Sequence, residues 1–224
     1  YFDVLVTDKF KDLSDIESVY NVKVTDLGAV AACDIVILAV PVAEMEGTIK
    51  NILPHLHKGQ LVIDLCSVKC VPMALLEKYL PVGVDAVSLH PLFGPQSGKN
   101  GIHGMNVTIC PLRGERTDCV VTFLQKTLGL QTHITTPEQH DQEMAYVQGL
   151  THMIAKVFVL MDVPAIHQQT KTYALLRDMV ELIRYDSDEL FLAIQRDNPY
   201  VKNTTEKFFE AVKAIEDRLS VAKK

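Results

Sequence analysis

The stretch that decides the fold is Asp85-Ala-Val-Ser-Leu-His90-Pro-Leu-Phe-Gly94-Pro-Gln96-Ser-Gly98. Its opening part, Asp85 to Leu89, predicts a buried strand that delivers His90 to its carboxyl end. In open parallel sheets, ligands bind beyond the carboxyl ends of the strands. A histidine there can accept a proton near neutral pH. A structural histidine that closes a turn is the alternative for His90, and the surrounding motifs favour the base.

Apolar runs alternate with helical patterns on both sides of this stretch. Further strands are predicted at 4–7, 22–24, 34–40, 60–65, 105–110 and 130–134. The run at 34–40 is continuous and β-branched, which is typical of a parallel strand covered on both faces. The pattern up to about residue 135 therefore predicts an α/β domain with a mostly parallel sheet.

After residue 135 the pattern becomes helical. Thr136 and Pro137 predict the N-cap and first position of a long helix that ends near Met161. More helices are predicted at 171–185, 187–196 and 204–221. The last one carries an apolar stripe at helical spacing, formed by Phe208, Val212, Ile215 and Leu219. We therefore divide the chain into an α/β domain at 1–135 and an all-α domain at 136–224.

The composition excludes several classes of function. The net charge is −6, so no basic field attracts nucleic acid. No apolar stretch reaches the length of a membrane span. Five cysteines without metal-type spacing predict reduced thiols in a cytoplasmic protein. We therefore expect neither a nucleic-acid nor a membrane partner, and no metal.

Two polar residues follow predicted strands of the first half. Asp8 ends an early strand, where an acid either binds the adenosine ribose of a dinucleotide or closes an ordinary turn. Ser67 follows the strand at 60–65 and either meets a ligand or caps the next helix. Lys69 is expected in solvent. No glycine-rich turn precedes Asp8, so either the chain is truncated or the pyrophosphate site is missing, and the sequence does not decide which.

Three polar side chains interrupt apolar helix faces in the second half. Gln148 and His152 are four residues apart, so they share a face of the long helix. A core histidine with satisfied hydrogen bonds is the alternative for His152. Arg184 continues an apolar row, so we expect a buried guanidinium that needs an anion. That anion is a ligand carboxylate or a neighbouring Asp186 or Asp188.

Five motifs together resemble the prephenate/arogenate dehydrogenase family of tyrosine biosynthesis. They are Asp34–Pro41, Asp64–Lys69, His90–Gln96, Gln148–His152 and Glu181–Arg184. The resemblance implies a Rossmann-type dinucleotide-binding domain followed by a helical substrate and dimerisation domain, with a homodimer and an active site between the domains. It also implies oxidative decarboxylation of prephenate or arogenate, with hydride passing to NAD or NADP.

The resemblance also implies roles for residues that contact the substrate. His90 accepts the proton of the substrate 4-hydroxyl, and Ser67 supports that hydroxyl and the nicotinamide. Arg184 binds a substrate carboxylate, and we expect it to face His90 across a cleft. The rest of the pocket is lined by Gln96, Gln148 and His152.

On the cofactor side, the resemblance assigns Asp8, Val40, Pro41 and Ser67. Asp8 favours NAD over NADP, because a carboxylate repels the 2′-phosphate of NADP. Two alternatives remain for the whole chain. One is another hydroxy-acid dehydrogenase on the same scaffold, and the other is a non-catalytic dimeric relative that has lost nucleotide binding.

Overall fold

The apolar strands of the first half assemble into two sheets in the computed structural model, which describes residues 2–221. β1 (Leu5–Val6) and β2 (Lys23–Val24) form a small parallel pair. The larger sheet has the order β3-β4-β5-β6-β7. Its strands are β3 (Ile35–Leu38), β4 (Leu61–Asp64), β5 (Asp85–Pro91), β6 (Asn106–Arg113) and β7 (Gln131–Ile134). Only β5 and β6 pair antiparallel, which confirms the predicted, mostly parallel sheet.

Five helices accompany these strands within the described residues. They are α1 (Ile16–Tyr20), α2 (Leu27–Ala31), α3 (Val42–Ile52), α4 (Cys70–Tyr79) and α5 (Thr117–Lys126). Asp26 begins α2 by accepting a hydrogen bond from the Ala29 N–H at 3.0 Å. Successive residues of β4 are buried on opposite faces of the sheet, because successive side chains of a strand point to opposite faces. Val62 packs on the side of α3 and α4, whereas Ile63 packs on the side of α5.

One face of β3 is exposed, which corrects the prediction that both of its faces are covered. Val36 and Leu38 are buried, whereas Ile35 and Ile37 are 38% and 55% exposed. A continuous apolar run shows that both faces can be buried. It does not show that other elements are present to cover both faces, and over residues 2–221 only one face of β3 is covered.

The second half contains helices and no strand across residues 136–221, as predicted. One continuous helical rod consists of α6 (Pro137–Met144), a π-helical segment at Ala145–Leu150 and α7 (Thr151–Leu160). Thr136 begins it by accepting a hydrogen bond from the Gln139 N–H at 3.2 Å. The remaining helices are α8 (Lys171–Ile183), α9 (Asp188–Leu192), a second π-helical segment at Ala193–Asp197, and α10 (Val201–Val221). Across residues 2–221, no helix combines the length and apolarity that a membrane crossing requires.

The two π-helical segments pack together and against α10. The Gln195 side chain donates a hydrogen bond to the Gly149 carbonyl at 2.8 Å. A Cβ atom built on Gly149 lies only 2.9 Å from Cγ2 of Val201, a side chain that is 1% exposed. Glycine at this position therefore allows α10 to approach the segment that carries Gln148.

We expect Gly149→Ala to lower the free energy of unfolding by about 1–3 kcal/mol, because buried, β-branched Val201 has little freedom to move aside. Gly47→Ala is the matched control, because Gly47 is exposed within α3 and its Cβ meets nothing within 4 Å. That control is expected to raise stability by about 0.5–1 kcal/mol. Chemical denaturation measures both changes, and a stabilising Gly149→Ala would contradict the close packing of α10.

Candidate active site

β5 carries Ser88 and His90 to the carboxyl edge of the larger sheet. The two side chains share a face of the strand because they are two residues apart. Ser88 lies opposite Asp64 of β4, and His90 lies opposite Thr108 of β6. His90 is 4% exposed and forms part of the strand itself, since β5 continues to Pro91. The imidazole therefore sits in a buried, rigid setting.

Lys69 is fully buried, which corrects the expectation that it lies in solvent. Its ammonium donates hydrogen bonds of 2.8 Å to Asp64 Oδ2, Ser88 Oγ and the Leu89 carbonyl. The Ser88 hydroxyl also donates to the Asp64 carboxylate. All three donors of the ammonium are thus used. A buried charge is costly unless it is paired and hydrogen-bonded, so this network fixes β4 to β5 directly before His90.

Two residues of α6 that the sequence analysis did not single out, His140 and Asp141, complete the surroundings of His90. Nδ1 of His90 lies 2.8 Å from Nε2 of His140. Nδ1 of His140 lies 2.8 Å from Oδ1 of Asp141. On its other side, Nε2 of His90 lies 3.2 Å from the side-chain nitrogen of Gln148. The result is a hydrogen-bonded row that runs from a carboxylate through two imidazoles to an amide.

A signal for His140 was present in the sequence. His140, Met144, Gln148 and His152 recur every four residues along the long helix. Residues spaced by four lie on one face of a helix. Extending the row of Gln148 and His152 towards the start of the helix therefore leads to His140. No comparable pattern points to Asp141, whose partners besides His140 are N–H groups of the first half of the chain.

The electrostatics of this row favour a neutral His90. Burial lowers the pKa of His90 well below its ordinary value of 6.5, and the nearby His140 and Lys69 lower it further. Burial alone raises the pKa of Asp141, but hydrogen bonds from His140 and from the N–H groups of Cys70 and Lys69 outweigh it, so that this pKa is lowered. The row thus holds an ionised carboxylate at one end and an imidazole with an available lone pair.

His152 faces away from His90. Its Nδ1 lies 2.9 Å from the Gln148 carbonyl oxygen, and its Nε2 lies 3.2 Å from Oδ2 of Asp186. Gln148 therefore stands between the two histidines, with its side chain towards His90 and its carbonyl towards His152. Both predicted residues of the long helix thus belong to one connected group, in which the link between them is the Gln148 backbone carbonyl.

Arg184 is exposed, which corrects the prediction of a buried guanidinium. Its side chain is 43% exposed and pairs with Glu181 at 2.5 Å. The physical reason is its position directly after α8, where the apolar row ends and the chain turns towards solvent. Arg184, His152 and Asp186 help to line a cavity of about 30 Å³. The guanidinium therefore lies beyond His152, and the cavity that it lines does not include His90.

The carboxyl ends of β1, β3 and β4 carry the residues predicted to bind a nucleotide. Asp8 is exposed, and its Oδ1 accepts hydrogen bonds from the N–H groups of Phe10 and Lys11 at 2.8 and 2.9 Å. These two bonds lower the pKa of Asp8. Asp8 thus closes a turn, one of its two interpretations, and also presents an ionised carboxylate beyond the carboxyl end of β1.

Val40, Pro41 and Ser67 lie at the same edge of the larger sheet. The Cys66 thiol donates to the Val40 carbonyl at 3.4 Å, which holds the ends of β3 and β4 together. Pro41 leads directly into α3, and Ser67 is half-buried between buried neighbours. The apolar Val40 and Pro41 and the Ser67 hydroxyl at this edge, together with the Asp8 carboxylate after β1 of the smaller sheet, fit the chemistry of a dinucleotide. Gln96 is exposed in the loop that follows β5.

Two family models match almost the whole chain. The model described as prephenate dehydrogenase, nucleotide-binding domain, matches residues 9–135. The model described as prephenate dehydrogenase, dimerization domain, matches residues 136–223.

Individual relatives agree with these matches. A probable arogenate/prephenate dehydrogenase of Methanocaldococcus jannaschii is 30% identical over 230 residues, covering 96% of this chain and 51% of that protein. The chloroplastic arogenate dehydrogenase 2 of Arabidopsis thaliana is 32% identical over 190 residues, covering 80% and 53%. The chain thus spans about half the length of these curated relatives. The crystal structure of prephenate dehydrogenase from Aquifex aeolicus in complex with hydroxyphenyl propionate and NAD+ has a TM-score of 0.72 at 21% identity, covering 95% and 83%, and this likeness shows a common fold.

Lys69→Met tests the buried ion pair. Removing the ammonium leaves the Asp64 carboxylate buried and uncompensated, so we expect a loss of about 3–5 kcal/mol in the free energy of unfolding. Lys50→Met is the matched control, because Lys50 pairs with Glu46 at the surface at 2.8 Å, and such pairs contribute little. Urea denaturation of both variants makes the comparison. Equal losses would show that the Lys69 network does not stabilise the fold.

Proposed function

The chain belongs to the prephenate dehydrogenase family, and from that premise we propose that it oxidatively decarboxylates prephenate, with arogenate as the alternative substrate, and passes hydride to NAD or NADP. The observation that carries this proposal is the buried, neutral His90 at the carboxyl edge of the sheet. A base of lowered pKa at the edge where ligands bind in such sheets suits removal of a hydroxyl proton at neutral pH.

In the proposed reaction, the substrate ring loses a hydride and carbon dioxide and becomes aromatic. A bound nicotinamide supplies the hydride acceptor. Nε2 of His90 accepts the proton of the 4-hydroxyl as the hydride leaves the carbon that bears it. The proton returns to the phenolic oxygen once the carboxylate has departed. Gln148, 3.2 Å from this nitrogen, holds the imidazole before the substrate hydroxyl takes that place.

On the substrate side, we propose that Arg184 binds a substrate carboxylate. Its present partner, Glu181, lies on the same surface, and a planar guanidinium can exchange one carboxylate for another. His152 lines the same cavity and contacts Gln148, so it links Arg184 to the neighbourhood of the base. Gln96 follows β5 in an exposed loop and is proposed to close the pocket from that side.

On the cofactor side, we propose that Asp8 binds the adenosine ribose, that Val40 and Pro41 contact the nucleotide, and that Ser67 meets the nicotinamide. Support comes from their common place at the carboxyl ends of β1, β3 and β4. The ionised carboxylate of Asp8 favours NAD, because it repels the additional phosphate of NADP.

The test is an assay of the full-length gene product with prephenate or arogenate and with NAD or NADP, followed by the absorbance of the reduced cofactor. We expect turnover with one of the substrates and a preference for NAD. On the acid side, kcat/KM should begin to decrease only at a pH below 6.5, because burial makes His90 harder to protonate. His90→Asn should lower kcat by about 10²–10⁴-fold.

Two outcomes would contradict this proposal at different points. If none of the four pairs of substrate and cofactor yields reduced cofactor, the proposed reaction is wrong and the non-catalytic interpretation is favoured. If His90→Asn turns over as fast as the unaltered protein, the reaction stands but the assigned base is wrong.

We also propose that the protein forms a homodimer through α10. One side of this helix is exposed and apolar at Phe209 (52%), Val212 (47%), Ile215 (58%) and Leu219 (65%), whereas Phe208 of the predicted stripe is half-buried. An exposed apolar patch of this kind marks an interaction surface. The family model that matches residues 136–223 is described as a dimerization domain, which supports a second copy as the partner.

Ile215→Glu tests this surface, since a carboxylate there must lose its hydration in the dimer. Sedimentation velocity is expected to show a monomer for this variant and a dimer for the unaltered protein. Glu210→Lys is the control, because Glu210 is exposed and lies on the opposite side of α10 from Val212, Ile215 and Leu219. It should leave the dimer intact. A monomeric unaltered protein would contradict the proposal.

A further inference from the structure

Asp141 is a fully buried carboxylate to which the proposed reaction assigns no role. It belongs to α6, but it binds the beginning of α4 in the other half of the chain. Its Oδ1 accepts the Lys69 N–H at 2.8 Å, and its Oδ2 accepts the Cys70 N–H at 2.9 Å. These are N–H groups that the first turn of a helix leaves without partners. Asp141 therefore caps α4 from outside and joins the two halves.

The same carboxylate oxygen that binds the Lys69 N–H also meets His140. Because the pKa of Asp141 is lowered, its oxygens act only as acceptors. Nδ1 of His140, at 2.8 Å, must therefore carry a hydrogen. In a neutral imidazole the other nitrogen is then an acceptor. Nε2 of His140 thus holds a lone pair, and it points at Nδ1 of His90.

The next link in the row sets the state of His90. Nδ1 of His90 lies 2.8 Å from the lone pair of His140, so it carries the hydrogen and donates it. Nε2 of His90 is left with a lone pair, which accepts a hydrogen bond from the Gln148 side-chain nitrogen at 3.2 Å. The position of each hydrogen in the row is set by the position of the previous one, and the row begins at the Asp141 carboxylate.

We propose that Asp141 is a positioning residue that, through His140, holds His90 in the tautomer whose Nε2 lone pair is available as the base. Because Asp141 also caps α4, this tautomer is held only when α6 of the second half is docked on α4 of the first. The kinetic part of this inference rests on the proposed function. The tautomer of His90 does not, and it can be measured without substrate.

Asp141→Asn changes both duties of the carboxylate. The asparagine amide places an NH₂ group where one of the two oxygens was. In one orientation that group faces both His140 and the Lys69 N–H. It then donates to Nδ1 of His140 and reverses each donor in the row, which moves the hydrogen of His90 to Nε2, while the Lys69 N–H loses its acceptor. In the other orientation it faces the Cys70 N–H, so two donors oppose each other and that bond of the α4 cap is lost.

The first measurement is the tautomer of His90 in the free protein, from ring-nitrogen NMR shifts of ¹⁵N-histidine-labelled protein, assigned with the His90→Asn variant. The unaltered protein is expected to show hydrogen on Nδ1, and Asp141→Asn to show a shift towards hydrogen on Nε2. Asp178→Asn is the matched control, because Asp178 is an exposed partner of Arg177 on α8. It should leave the His90 signals in place.

The second measurement is a double-mutant cycle with His140→Phe, which breaks the row and leaves the cap of α4 untouched. In that variant Nδ1–H of His90 has no acceptor, so its hydrogen should move to Nε2, where it can donate to the oxygen of a turned Gln148 amide. If Asp141→Asn proves too unstable to study, His140→Phe alone tests the proposal through this signature.

Each single variant is expected to lower kcat on the order of 10²–10⁴-fold, with a much smaller change in KM. The double variant should lose little more than His140→Phe alone, because the row is already broken. Additive losses, or an unchanged His90 tautomer in both single variants, would overturn the positioning role. If the tautomer shifts as expected but no substrate is turned over, the proposed function fails while the positioning role stands.

Discussion

Buried charges must be paired and hydrogen-bonded, and this constraint determines how strands and helices meet at the centre of this molecule. The Lys69 ammonium joins β4 to β5 through Asp64 and the Leu89 carbonyl, and the Lys69 backbone N–H binds Asp141 of the second half. One residue therefore connects both strands and both halves. A buried charge that loses its partner is costly, so these contacts resist displacement. They therefore hold the end of β5 that carries His90 in a fixed position.

The same burial that fixes His90 also prepares it for chemistry. Desolvation and two neighbouring basic groups keep the imidazole neutral in the folded state, although an exposed histidine titrates near 6.5. This has a cost in stability. The unfolded chain binds a proton more readily than the folded one, so the contribution of His90 is complete above about pH 6.5 and is lost as the pH falls below that value.

The two sides of the site differ in how many of their polar groups have partners within this chain. The side of the base is internally closed, since both ring nitrogens of His90 meet partners, His140 and Gln148. The side proposed for the substrate carboxylate is open, because Arg184 is exposed and pairs only with Glu181 of its own helix. The exposed apolar side of α10 lies in the same half of the chain. The proposed contacts of the substrate carboxylate and of the dimer thus both belong to the helical half, whereas His90, Gln96 and the proposed nucleotide contacts belong to the first half.

The sequence by itself determined the α/β half, the helical half, the cap at Thr136 and the family, because periodicity, capping and motif spacing are local properties. Only the tertiary structure decided that Lys69 is buried, that Arg184 is exposed, and that His140 and Asp141 meet His90 and α4. His90 and His140 are 50 residues apart, and Lys69 and Asp141 are 72 residues apart. Contacts over such separations depend on which faces pack together. The row of residues spaced by four places His140 on the same helix face as Gln148, but local spacing does not show which strand or helix packs against that face.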